Sequence, residues 1–194
     1  MEFQQEQRNK ALLFFGVLLA VVAAIIYWRT GVEEVPGDYH VKKGNYRLED
    51  GQYDKAVEEF NEALTSNPDH TMAHFGLAIS YMQMGDVGAA LQEFDATLAL
   101  DDHLAVAYAD RGILYDRLGK YEKALADYKK ALELDAEILE GPGWLWRFLR
   151  NVDEMPPTIK DRAAYIEEQL AKPPSERLLE VPGEDEKQRM YKVQ

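Results

Sequence analysis

The sequence predicts an all-α protein: a solenoid of helical hairpins, closed by C-terminal capping helices, behind one N-terminal transmembrane helix. Three observations lead there. An uncharged run of eighteen residues lies near the start, the following hundred residues repeat at a period of 34, and that period breaks at Gly141-Pro142-Gly143.

The run from Ala11 to Trp28 reads ALLFFGVLLAVVAAIIYW and is bounded by Lys10 and Arg29. At about 1.5 Å per residue, a helix of that length approaches the hydrocarbon thickness of a bilayer. A helix in water would keep a polar face, and this segment has none. Tyr27 and Trp28 stand at its far end, where amphipathic aromatics favour the headgroup level. A cleaved signal peptide needs small side chains at its end, and Ile25, Ile26, Tyr27 and Trp28 are bulky. The segment is therefore read as an uncleaved span over residues 11–28, after a short tail (1–10) and before a linker (29–36). Arg8 and Lys10 before the span favour an N-terminus on the inside. For a bacterial protein, the expected location is the inner membrane with the remaining chain in the periplasm.

The net charge of −13 lies beyond the span, because Glu2 and Glu6 balance Arg8 and Lys10. An acidic domain repels phosphate backbones, so nucleic acid is excluded as a partner. The chain has no cysteine, which rules out disulfides and thiolate-ligated metals.

A shift of 34 residues aligns Gly51, Gly85 and Gly119, then Ala56, Ala90 and Ala124, then Phe60, Phe94 and Tyr128. Ala63, Thr97 and Ala131 follow in phase, as do Leu64, Leu98 and Leu132. Upstream, Gly44, Ala78 and Gly112 coincide. Small residues let paired helices approach closely, the aromatic fills the space between hairpins, and the glycine closes the first helix in a left-handed turn. Helices are expected at 38–50, 54–66, 71–84, 88–100, 105–118 and 121–135.

The segments GQYDKAVEEFNEAL, GDVGAALQEFDATL and GKYEKALADYKKAL resemble the tetratricopeptide repeat family, whose glycine, alanine, aromatic, alanine signature they carry three times in phase. The likeness covers residues 37–136, about half the chain. Asp102 and Ala136 replace the family's closing proline, which Pro68 keeps. Lys43 and Arg47 stand in the first repeat where the family prefers Leu and Tyr, which suits an N-terminal unit with an open side.

Beyond the repeats, residues 137–172 are expected to supply capping helices. Trp144–Leu149 forms an apolar turn or two, and Thr158 caps a helix through about Lys172 with Ala163, Ile166 and Leu170 inward. Residues 173–194 are charged and proline-punctuated, and read as an extended tail on the domain or a disordered one.

Nothing in the sequence predicts catalysis, a cofactor or a metal. His40 and His74 share one repeat position and read as packing residues. His70 and His103 lie in inter-repeat turns, with no His-x-x-x-His pair within a helix. No phosphate-cradling glycine loop or nucleophile elbow is present.

Binding remains. The resemblance implies that the first helix of each hairpin lines an inner groove: Val41, Lys42, Asn45, Leu48 and Glu49, then Met72, Phe75, Ile79, Met82 and Gln83, then Val106, Ala109, Asp110, Ile113 and Arg117. A clamp for a terminal carboxylate is rejected, because only Asn45 fits it and Val106 and Asp110 stand where bases are needed. The middle of the groove is apolar and suits an amphipathic helix or extended apolar segment. Those side chains are either open to solvent or covered by the chain's own Trp144–Leu149 or tail. The expected function is a membrane-anchored protein–protein interaction module: a scaffold, assembly factor or accessory subunit of a membrane protein complex. The alternative is a cytosol-facing receptor that captures clients for insertion or import.

Overall fold

The computed structural model describes residues 14–25, 35–135 and 158–179. The chain divides into two compact units, Met1–Pro36 and Gly37–Gln194.

In the first unit, residues 14–25 form helix α1 (FFGVLLAVVAAI), which is apolar on every side and exposed along its whole length. Among the described residues, no helix is long and apolar enough to cross a membrane. The remainder of the expected span, residues 11–13 and 26–28, lies outside them.

The second unit is built of paired helices: α2 (Asp38–Glu49) with α3 (Tyr53–Ser66), α4 (Thr71–Met84) with α5 (Val87–Leu100), and α6 (Ala105–Arg117) with α7 (Tyr121–Leu134). Helix α3 packs on α4, and α8 (Ile159–Ala171) packs on α7, followed by a 3₁₀ turn at Pro174–Glu176. Together with α1 these make eight α-helices and no strand among the described residues, an all-α solenoid of helical hairpins. The Trp144–Leu149 segment falls outside the described residues.

Each hairpin turns in the same way, for a backbone reason. Gly51, Gly85 and Gly119 adopt φ of 70°, 80° and 66°, a region that a Cβ penalises. The next residue then donates its amide to a carbonyl five positions back: Gln52 to Arg47 (2.8 Å), Asp86 to Tyr81 (2.9 Å) and Lys120 to Tyr115 (2.9 Å). These bonds satisfy carbonyls that the helix end leaves open. Helix α8 starts differently. The Thr158 hydroxyl accepts from the Asp161 amide at 3.1 Å, and Asp161 accepts from the Thr158 amide at 3.0 Å, a reciprocal cap. The Thr158 backbone bond, followed by its hydroxyl, holds the Asp161 carboxyl below its usual range.

The core follows the repeat. Phe60, Phe94 and Tyr128 are fully buried, as are Ala56, Ala90, Ala124, Ala63, Thr97 and Ala131. Thr97, which replaces an alanine, turns its hydroxyl back on the Glu93 carbonyl at 2.8 Å, so its burial leaves no polar atom stranded. Close approach is tightest at the first junction. A Cβ built on Gly44 would stand 2.6 Å from the Phe60 ring, and one on Gly76 only 2.2 Å from it. Phe60 is thus clasped between two glycines, one in its own hairpin and one in the next.

Gly76→Ala is therefore expected to destabilise the second unit by about 1–3 kcal/mol through overpacking. In a double-mutant cycle, Phe60→Leu should recover part of that loss. Thermal or urea melts showing that the two substitutions simply add would overturn the clasp.

Candidate protein-binding surface

The inner-face residues named from the sequence do fall on the first helices of the hairpins, but most are not open. On α4, Phe75, Ile79 and Met82 retain 5%, 8% and 7% exposure. Val41 on α2 and Val106, Ala109, Asp110 and Ile113 on α6 are buried as well. Leu48 and Met72 are half-buried, while Lys42, Asn45, Glu49, Gln83 and Arg117 are exposed. Of the two alternatives, a groove open to solvent and one covered by the chain's own C-terminal residues, the burial of these side chains favours the covered one.

The reason is packing on both sides of α4. Phe75 meets the Phe94 ring edge-on, with centroids 6.2 Å apart. Phe75, Ile79, Met82, Val106 and Ile113 belong to one core cluster with Ile159, Ala163 and Ile166 of α8, and Leu170 and Leu179 pack against it. Val41 belongs to a second cluster with Ala56, Phe60, Ala63, Ala73 and Leu77. Leu48, Met72 and Tyr81 touch both. Helix α4 carries no Asp, Glu, Lys or Arg from Thr71 to Met84, and a helix with so little polar surface is a largely buried one. That signal was available in the sequence.

Polar contacts missed by sequence reasoning fix α8 in place. The Arg162 guanidinium grips Asp116 of α6 in a two-pronged pair, Nε to Oδ2 at 2.7 Å and Nη2 to Oδ1 at 2.8 Å. Both side chains are almost wholly buried. Tyr128 donates its hydroxyl to the same carboxylate at 3.1 Å. Removing one partner of such a pair costs about 3–5 kcal/mol, because the other charge stays buried.

Arg162 also reaches forward. Its Nη2 donates to the Leu179 carbonyl at 3.2 Å, Tyr165 donates to the Leu178 carbonyl at 2.5 Å, and the Leu178 amide donates to Gln169 Oε1 at 3.0 Å. Arg177 donates to the carbonyls of Lys172 and Leu170 at 3.0 and 3.1 Å. Arg177 is extended, and residues 178–179 lie back along α8 through these bonds. Five hydrogen bonds at about 1 kcal/mol each stand against about 1–2 kcal/mol per ordered residue. The segment is held close to balance.

The histidines expected to pack do so through carboxylates. His40 Nδ1 lies 3.0 Å from Glu59, and His74 Nδ1 lies 2.7 Å from Glu93, the equivalent pair one repeat on. Lys43 and then His40 bond Glu59 and hold its carboxyl low, against the opposing effect of burial. In the third hairpin, Arg111 takes over, bonding Asp127 at 2.8 and 2.9 Å and Asp95 of the second hairpin at 2.6 Å. Burial works against the Arg111 charge, but Asp127 and then Asp95 more than offset it and raise its pKa. His70 and Asp38 meet at 3.1 Å. Among the described residues, Asp101, Asp102 and His103 gather donor atoms within 4.8 Å, but they are consecutive in one turn. His103 there leans on Asp102 at 2.6 Å, and both are exposed.

The double substitution Phe75→Ser with Ile79→Ser is expected to unfold the second unit. Each large-to-small change in a core costs about 2–5 kcal/mol, and together they consume most of a domain's roughly 5–15 kcal/mol. A parent-like melt by circular dichroism would restore the open groove.

Sequence comparison agrees with this architecture. Tetratricopeptide-repeat family models match residues 41–105 and 105–137, which together span half the chain. No curated protein matches the chain. Among solved structures, the first TPR domain of Spaghetti (RPAP3), bound to the HSP90 peptide SRMEEVD, is 21% identical. It superposes with a TM-score of 0.56 over 73% of this chain and 98% of that one. The Arabidopsis OM64 TPR domain is 25% identical, with a TM-score of 0.51 over 53% and 84% of the two chains. The first TPR domain of human RPAP3 is 23% identical, with a TM-score of 0.52 over 69% and 96%. With three in-phase hairpins, their glycine turns and the matching family models, the chain belongs to the tetratricopeptide-repeat family, a fold that serves as a protein–protein interaction module.

Proposed function

We propose that this protein–protein interaction module is held at a membrane by residues 11–28, and acts there as a scaffold, assembly factor or accessory subunit of a membrane protein complex. The observation that carries the reading is α1. Phe14, Phe15, Val17, Leu18, Leu19, Val21, Val22 and Ile25 keep 43–69% exposure on a helix without one polar side chain. Covering eight such side chains is worth on the order of 10 kcal/mol. Acyl chains cover a helix of this kind on all sides, whereas a partner groove would cover one. The flanking Arg8 and Lys10 support an N-terminus inside, which for a bacterial protein would place the anchor in the inner membrane and the repeats in the periplasm.

The partner is a protein. The HSP90 peptide seated on Spaghetti, SRMEEVD, is acidic. In this chain, buried Asp110 and apolar Val106 stand where a carboxylate clamp needs bases, and the net charge is −13. Like charge disfavours that ligand class here. An apolar or amphipathic segment of a neighbouring membrane protein fits better.

The full chain is expected to resist carbonate extraction and to keep its N-terminus through residue 28. Leu18→Arg should cost roughly 3 kcal/mol of insertion free energy on translocon scales and shift the protein toward the soluble fraction. An intact mass starting after residue 20, or complete release by carbonate, would sink the anchor.

A further inference from the structure

Helix α8 reads a peptide backbone. Arg162, Tyr165 and Gln169 stand three and four residues apart on it, and each bonds a main-chain atom of residues 178–179. None of these bonds depends on the identity of the leucines. The Leu178 side chain is 69% exposed, while Leu179 packs against the core cluster. An extended segment shows its side chains alternately outward and inward, so main-chain atoms and one inward apolar residue make the contact. The main reader is built in advance, because the Asp116 pair fixes the Arg162 guanidinium, whose Nη2 serves both Asp116 and the Leu179 carbonyl.

We propose that this side of α8 is a docking site for an extended segment of a partner protein, with residues 177–179 as its displaceable occupant. The proposal rests on the interaction-module reading and adds where, and in what conformation, a segment docks. The fitting partner chemistry is a peptide without proline at the residue matching Leu178, whose amide must donate to Gln169, followed by a leucine-sized residue. The chain's own segment competes from a tether, so a partner must add contacts beyond these three.

The test uses a fluorescein-labelled peptide of residues 173–181, added to the full chain and to a chain ending at Lys172. Anisotropy should show binding to the shortened chain, and at least tenfold weaker binding to the full chain. Tyr165→Phe in the shortened chain should weaken binding several-fold without changing its circular dichroism melt. Equal binding by both chains overturns the proposal, as does no binding by a shortened chain that melts like the parent. Should the shortened chain fail to fold, amide exchange in the full chain decides. A Leu178 amide exchanging at least a hundredfold faster than that of Tyr128 supports displacement, and equal rates overturn it. Because the probe is the chain's own sequence, its outcome is separate from whether a natural partner is found at the membrane.

Discussion

The close approach of helices around one buried aromatic per hairpin is the constraint on which everything else depends. Phe60 has no room beyond the rings of space left by Gly44 and Gly76, and Tyr128 meets Gly112 with a similar lack of slack. Protein interiors are packed like crystals, so such a contact sets helix separation to within fractions of an ångström. Helix separation in turn fixes the angle at which each hairpin leans on the next. It also brings Asp95 of one hairpin within reach of Arg111 in another. The inter-hairpin ion pairs follow from the packing and do not create it.

The repeat made much of this legible. In-phase glycines mark the turns, and in-phase alanines and aromatics mark the contact surfaces, because the same steric problem recurs every 34 residues. Gly76 escaped, since its repeat partners are Lys42 and Asp110, and a position that differs in every copy carries no periodic signal. The Asp116–Arg162 pair is 46 residues apart and joins a repeat to a non-repeat helix, so no local rule could have matched the two. Contacts with the main chain of residues 178–179 were invisible for a further reason: they engage two carbonyls and an amide, groups that nearly every residue possesses.

The inner face was left with two readings for a different reason. Family likeness places Phe75, Ile79 and Met82 on the lining of a groove, and their apolar character then reads as an invitation to a ligand. The same character is equally the mark of a residue already covered, and the charge-free α4 favours that second meaning. Position on a fold indicates where a surface could be. Only the neighbours decide whether it is one, and here α8 and Leu179 join the cluster that these side chains belong to.

The two hydrophobic clusters have a thermodynamic consequence. One is centred on Phe60 and joins the first hairpin to the near side of α4, while the larger one runs from Phe75 through α8. Among the described residues, the half-buried Leu48, Met72 and Tyr81 pack against both at their border. In a repeat array, stability is close to a sum of unit and interface contributions, and a weak border lets one side open alone. Helix α2 buries only Val41 and Gly44, so the first hairpin is the side with less to lose. Local opening is then expected to begin in the first hairpin, with the cluster from Phe75 through α8 opening last.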